Sequence, residues 1–128
     1  MRIALAGNGL LAGCLLRGLR GARHEIVALV QDGRKTRGFR RRLAPWLGQL
    51  REPDYMPAQA LRRRLPIVWI DRMSEAELAP LRALEPDLLL VGGFAIILKR
   101  PILELPRIGC VNVHSSLLPR HRGPNPFS

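Results

Sequence analysis

Arg2-Ile3-Ala4-Leu5-Ala6-Gly7-Asn8-Gly9-Leu10-Leu11-Ala12 is the stretch that decides the fold. Residues 2–6 read as a short buried strand, Gly7-Asn8-Gly9 as a tight turn, and residues 10–19 as a helix, with Leu11, Leu15 and Leu19 recurring every fourth position. The same alternation runs outward along the chain. Residues 25–30 form a β-branched, apolar second strand that closes on Gln31-Asp32-Gly33, and residues 67–70, 87–91 and 108–114 read as three more strands. Ser74 and Glu77 have the spacing of a capping box and open a helix expected to run to about Leu84. Nearly continuous apolar strands alternating with helices imply a parallel sheet covered on both faces. The expected fold is therefore α/β: a doubly wound, Rossmann-like, mostly parallel sheet of about five strands in a single domain 1–128.

Composition bounds the function classes. At 47% hydrophobic and 24% charged, the 128 residues are globular rather than disordered, and aromatics at 5% leave the core to Leu, Ile, Val and Ala. No apolar run reaches the length of a membrane span; residues 88–98, the longest, read as a buried strand entering a loop. Leu11-Ala12-Gly13-Cys14 looks like a lipoprotein cleavage site, but a single Arg2 and an apolar segment interrupted by Asn8 and two glycines make a poor leader. Cys14 and Cys110 form no CxxC pair and no metal cluster with the three histidines. They read as packed core thiols of a reducing compartment, which makes the cytoplasm the expected location and leaves no metal site.

Charge is the unusual quantity. The net charge is +11, from 19 Arg and 2 Lys against 10 acidic residues. Between residues 33 and 64, ten basic minus two acidic residues place +8 of that total. Pro45, Pro53 and Pro57 are expected to break this segment into a basic loop and short helical pieces. A cationic segment suits nucleic acid or anionic metabolites. An arginine-rich solvated surface accounts for it equally well.

Two motifs carry chemistry. Gly7-x-Gly9-x-x-Ala12 after the first strand, with Asp32 closing the second, has the spacing of a dinucleotide-binding loop, in which glycines admit a diphosphate and the carboxylate takes a ribose hydroxyl. A tight strand-to-helix turn needs small residues whatever the ligand, so an NAD(P)- or nucleotide-binding module stands only as an alternative. The second motif is Asn112-x-His114 at the end of the fifth strand. Alternate strand residues share a face, so an amide donor and an imidazole sit side by side, a workable pair for holding an oxyanion and handling a proton. Ligands of open parallel sheets lie at the carboxyl ends of the strands, where Gly92-Gly93-Phe94 should meet this pair.

The longer run Asn112-Val113-His114-x-Ser116-Leu117-Leu118-Pro119-x-x-Arg122-Gly123-Pro124-x-Pro126 resembles the signature of the folate-dependent formyltransferases, the group containing methionyl-tRNA, glycinamide ribonucleotide and amino-sugar formyltransferases. Residues 86–91, Gly93-Phe94, Ile97-Leu98, Leu103-x-Leu105-Pro106 and Gly109-Cys110 agree with it, whereas residues 33–64 add little.

The resemblance implies formyl transfer from 10-formyltetrahydrofolate to an amine. Asn112 matches the residue that holds the oxyanion and His114 the catalytic histidine. Phe94, Ile97 and Leu98 match the lining of the folate pterin pocket, with Ala95 and Ile96 standing where some members carry a longer or basic residue. Ser116, Arg122 and Gly123 match the acceptor side. In the family a carboxylate on a later loop takes the amine proton and further strands follow, so the resemblance implies a sheet truncated after about five strands, a domain 1–128 incomplete at its C-terminus, and no activity from these 128 residues alone, unless Asp87 or a partner chain supplies a carboxylate. The acceptor stays open between aminoacyl-tRNA, approached by the basic segment, and a small amine such as an amino sugar. A degenerate, non-catalytic association domain is a further alternative, and a homodimer across an unpaired sheet edge is compatible with it.

Overall fold

The computed structural model describes residues 1–34, 36–47 and 55–114. The order of elements is β1 (Arg2–Ala6), α1 (Gly9–Gly18), β2 (Glu25–Asp32), α2 (Phe39–Leu47), α3 (Met56–Arg63), β3 (Ile67–Ile70), α4 (Glu75–Ala83), β4 (Leu88–Gly92), α5 (Arg100–Leu103) and β5 (Gly109–Val113). The five strands form one sheet in the order β3-β2-β1-β4-β5, and every pairing is parallel. The chain winds from β1 outward through β2 and β3, then crosses back to β4 on the other side of β1. The doubly wound α/β expectation holds, and the reversal of direction lies between β1 and β4.

Side-chain alternation builds two cores. Ala4, Ala6, Ala28, Val30, Val68, Ile70, Leu89 and Val91 pack on one face with Leu78 and Leu81 of α4 and Ile102 of α5. Leu5, Leu29 and the half-buried Leu90 meet Ala12 and Leu16 of α1 and Met56 and Ala60 of α3 on the other. The register of β1 against β2 skips Val27, placing Ile3 opposite Ile26 and Ala4 opposite Ala28. That bulge shifts the phase of β2, so Ile26 joins the same face as Leu29. Burying one leucine of this kind stabilises the domain by about 1.5–3 kcal/mol. Among the described residues, no helix is long and apolar enough to cross a membrane.

Several local expectations shift. Helix α1 buries Ala12, Gly13 and Leu16, not the Leu11, Leu15, Leu19 row, because a spacing of four drifts around a 3.6-residue helix. Cys14 consequently lies on the exposed side of α1, beside Arg17, and is not the packed core thiol expected from its apolar neighbours. Pro45 sits inside α2 without ending it, and Pro57 occupies the first turn of α3, where a missing N–H leaves nothing unpaired; Pro53 lies outside the described residues. The Ser74 hydroxyl does cap α4 by accepting from Glu77 N at 3.3 Å. The Glu77 carboxylate reaches further back than a simple capping box, accepting from Asp71 N at 2.9 Å and Arg72 N at 2.8 Å. Burial pushes the Glu77 carboxyl up, but these backbone donors together outweigh it and hold the pKa below its ordinary value.

The two glycine contacts at the reversal point test what the turn is for. Gly7 has φ +150, and a Cβ there would lie 1.8 Å from the Gly92 carbonyl oxygen; Gly9 has φ +75 with nothing within 4 Å of an added Cβ. Gly7→Ala is expected to lose about 3 kcal/mol or more, from clash and backbone strain together, whereas Gly9→Ala should lose only about 1 kcal/mol from the left-handed backbone alone. Chemical denaturation of the two variants reads the difference, and equal losses would remove the packing role of Gly7.

Candidate active site

The carboxyl ends of β1, β4 and β5 build one crevice. At its back, two loops are locked backbone to backbone: Asn8 N donates to the Gly93 carbonyl at 3.1 Å, and Gly7 meets Gly92 as described. The buried Gln31 amide donates to the Gly7 carbonyl at 2.8 Å and to the Val30 carbonyl at 3.0 Å, tying the turn to β2. Gly93, at φ +67, then turns the chain out of β4; a Cβ there would lie 2.7 Å from the Asn8 carbonyl oxygen. Residues 94–98 leave this turn as an irregular wall.

The wall encloses a cavity of about 400 Å³. Leu11 of α1, Val91, Phe94, Ile96, Leu98, Leu103 and Cys110 give it an apolar lining, and Asn112 and His114 supply side-chain polarity at its end. The register explains the convergence: Val91 lies directly opposite Asn112, so both point to the α4 face, as do Cys110 and His114 by alternation. Asn112 is exposed and His114 half-buried. An apolar slot with a few polar groups at one end suits a planar heterocycle whose reacting carbonyl reaches those groups.

All five expected residues that the structure describes are brought to this cavity: Phe94, Ile97, Leu98, Asn112 and His114. Ile97 sits at the rim, 85% exposed, rather than in the floor. Ser116, Arg122 and Gly123 lie outside the described residues. Leu11, Val91 and Cys110 were not legible as lining. Cys110, which the sequence suggests as a core thiol, is part-buried against the core and also faces the cavity, its thiol pushed up in pKa by burial, with Sγ 3.7 Å from the Leu103 carbonyl. The register of β4 against β5 is the signal that finds Cys110, and a sequence does not display it.

A second, smaller depression of about 250 Å³ lies beside the Gly7–Gly9 turn, lined by Asn8, Gly9, Gln31, Asp32, Thr36, Tyr55 and Trp69 among others. The Asp32 carboxylate there accepts from Arg34 Nη2 at 2.7 Å and from Arg34 Nε and the Arg34 backbone N–H at about 3 Å. Arg41 lies over the Trp69 ring, 5.7 Å from its centroid, and donates to the Thr36 and Gly33 carbonyls. Arg37 pairs with Asp71 at 2.7 Å. Arg34, Arg37 and Arg41 thus brace the loop, while Arg40 and Arg42 are exposed on α2.

Residues 1–128 match the sequence profile of the formyl transferase family. The chain belongs to the formyl transferase family. Curated methionyl-tRNA formyltransferases of Pseudomonas paraeruginosa and Moorella thermoacetica are 35% and 38% identical to it, over 99% of this chain and 39% of each relative. The formyl transferase chain thus spans about two fifths of the length of the curated relatives it matches. Its fold is that of glycinamide ribonucleotide transformylase 1 from Symbiobacterium toebii, with a TM-score of 0.66 at 20% identity, over 98% of this chain and 57% of that one.

The carboxylate question has a structural answer for Asp87. It precedes β4 at the amino end of the sheet, about 13 Å of strand away from Val91 and the crevice. There it accepts from Arg2 N at 2.9 Å and Arg107 Nε at 2.8 Å, and its own backbone joins β1 and β5 through Arg2 O and Ile108 N. Asp87 is a structural pin and supplies no base to the crevice. The Arg2 N–H and then the Arg107 guanidinium hold its carboxyl below the ordinary value. A carboxyl lowered on folding contributes stability above its unfolded pKa of about 3.9 and loses it as pH falls toward the folded value. Asp87→Asn is therefore expected to be less stable than wild type near neutral pH, with the gap closing below about pH 4. Denaturant midpoints measured from pH 2 to 7 check this, and a gap that stayed constant would assign the loss to something other than charge.

Proposed function

We propose that this chain forms the folate-facing part of an enzyme that transfers a formyl group from 10-formyltetrahydrofolate to an amine. The observation that carries the reading is the joining of Asn112 and His114 to the apolar wall of residues 94–98 in one cavity at the reversal point of the sheet. The lining fits the donor: aliphatic side chains and Phe94 offer a flat heterocycle an apolar slot, and an amide and an imidazole stand where its formyl oxygen would be placed. An incoming amine forms a new C–N bond at the formyl carbon, and the electron pair of the carbonyl moves onto oxygen. Asn112 and His114 donate hydrogen bonds to that oxygen. The pair then returns, the bond to the folate nitrogen breaks, and that nitrogen takes a proton.

The attacking amine must also lose a proton, which calls for a base. No Asp or Glu lines the described cavity, and none occurs among residues 115–128. The base is therefore proposed to come from outside these 128 residues, and the chain by itself should turn over little or nothing. Ready formyl transfer by the isolated chain would overturn that part.

The acceptor best supported is an aminoacyl-tRNA. The curated relatives are methionyl-tRNA formyltransferases, and α2 exposes Phe39 before and Trp46 after the exposed Arg40 and Arg42, aromatic and cationic residues on one helix. Binding of methionyl-tRNA that weakens steeply with salt supports it, and salt-insensitive or absent binding favours a small amine. The second depression keeps one alternative in view, a nucleotide at the Gly7–Gly9 turn with Asp32 on its ribose, although Arg34 already occupies that carboxylate. Saturable NAD(P) binding lost in Gly9→Val, a position with open space, would establish it.

The catalytic roles are tested in a chimaera that places residues 1–128 ahead of the remaining part of the Moorella thermoacetica relative. Asn112→Ala should lower kcat about 10²–10³-fold, the size of one oxyanion donor, with tetrahydrofolate affinity little changed. His114→Ala should cost about 10²-fold or more. Near-wild-type turnover in either variant removes that residue from the mechanism.

A further inference from the structure

The wall of residues 94–98 has no helix or strand of its own, so its position depends on what holds its two ends. The front end is fixed by Asn8 N donating to the Gly93 carbonyl. The rear end meets a residue that lines no part of the cavity. Lys99, directly after the wall, donates its backbone N–H to the Met73 thioether sulfur at 3.3 Å. Lys99 is also the N-cap of α5, where its carbonyl accepts from Ile102 N and Leu103 N. A displacement of Lys99 thus moves the end of the wall and the start of α5 together.

Met73 is an unexpected residue for its backbone. It has φ +56, a left-handed conformation that glycine or asparagine adopts at less cost. The surrounding bonds enforce it: Glu77 accepts from Asp71 N and Arg72 N, and Ser74 caps α4, so the one residue between them must reverse the chain. That reversal sends the Met73 side chain inward, where it is 5% exposed in the same cluster that Phe94, Ile96 and Leu98 pack against. A glycine would satisfy the backbone but would give neither the packing nor the acceptor. Methionine gives both, because its unbranched chain fills an irregular gap and its sulfur is a weak acceptor.

We propose that Met73 is a positioning residue for the formyl donor: its thioether anchors the Lys99 N–H and so sets the height of the 94–98 wall over the cavity. The inference rests on the folate reading of that cavity for its ligand, but the anchor itself is a property of the fold and can be measured without any ligand. The chain of dependence runs from Glu77 through the 71–74 turn and Met73 to Lys99 and the wall, so α4 governs a surface it does not line.

The test compares the 128-residue chain with Met73→Leu, which keeps an apolar side chain of similar volume at that backbone position and removes the sulfur acceptor. Backbone amide exchange followed by NMR should show the Lys99 amide slowed in wild type and released in the variant, with core amides such as Leu89 and Val30 unchanged. Tetrahydrofolate, titrated by calorimetry, should bind the variant about threefold to tenfold more weakly, the size of one modest hydrogen bond. A merely structural role would speed exchange throughout the core instead, and that result overturns the proposal. Unchanged Lys99 exchange overturns it as well, as does released Lys99 with unchanged tetrahydrofolate affinity. If wild type binds no tetrahydrofolate, the donor role falls together with the folate reading; failure in the exchange data alone leaves the folate reading standing. Should Met73→Leu not fold, a wild-type Lys99 amide exchanging as fast as that of the exposed Ile97 overturns the anchor.

Discussion

The crevice depends on one close backbone approach, that of Gly7 to Gly92. Neighbouring parallel strands normally keep their side chains apart by about 4.8 Å of sheet spacing, and their loops leave at the same level. Between β1 and β4 the winding reverses, so the two loops depart in opposite directions and open a gap. Gly7 lets the first loop pass against the Gly92 carbonyl, and Gly93 lets the second turn away beneath Asn8. A side chain at Gly7 or Gly93 would push the loops apart and carry the 94–98 wall with them. The buried Gln31 amide completes the arrangement by holding the Gly7 and Val30 carbonyls from the β2 side through its Nε2.

Much of this was legible beforehand because it follows from period and punctuation. Strand β3 falls where its apolar run does, β1 likewise, and Ser74 with Glu77 marks the start of α4. The candidate residues Phe94, Ile97, Leu98, Asn112 and His114 come from a linear motif and from alternation along β5, and they line one cavity because the strand order brings β4 beside β5. What stayed hidden depends on contacts between distant segments. Cys14 looks like a core residue in sequence, yet the helix phase turns it outward. Pro45 looks like a breaker, yet α2 continues through it. Cys110 as a cavity residue and Met73 as an anchor each require knowing which strand or loop lies alongside, and no local pattern encodes that.

The sheet also separates two kinds of electrostatics. Its amino end is held by charged pairs: Asp87 with Arg2 N and Arg107, and Arg2 with Glu25 and with the Leu84 carbonyl. These groups are exposed enough for water to screen them, and each pair is worth little by itself. Asp87 matters more for its geometry, since it touches the starts of β1, β4 and β5 at once. The carboxyl end, by contrast, carries no carboxylate in the lining of the main cavity.

That asymmetry suits the chemistry proposed. A fixed anion beside a formyl oxygen would oppose the negative charge that develops there, and its repulsion would grow in an apolar slot of low effective dielectric. Asn112 is neutral and oriented by its strand, so it can donate in the transition state with little reorganisation. In that reading His114 would add a second donor beside it. Leu11, Val91, Phe94 and Leu98 give the same side an apolar surface. A base for the amine is then best kept on a separate element that approaches from the acceptor side, where its charge aids proton removal without facing the oxyanion. The uncharged lining of this cavity is what that division of labour would require of a wall that faces the formyl donor.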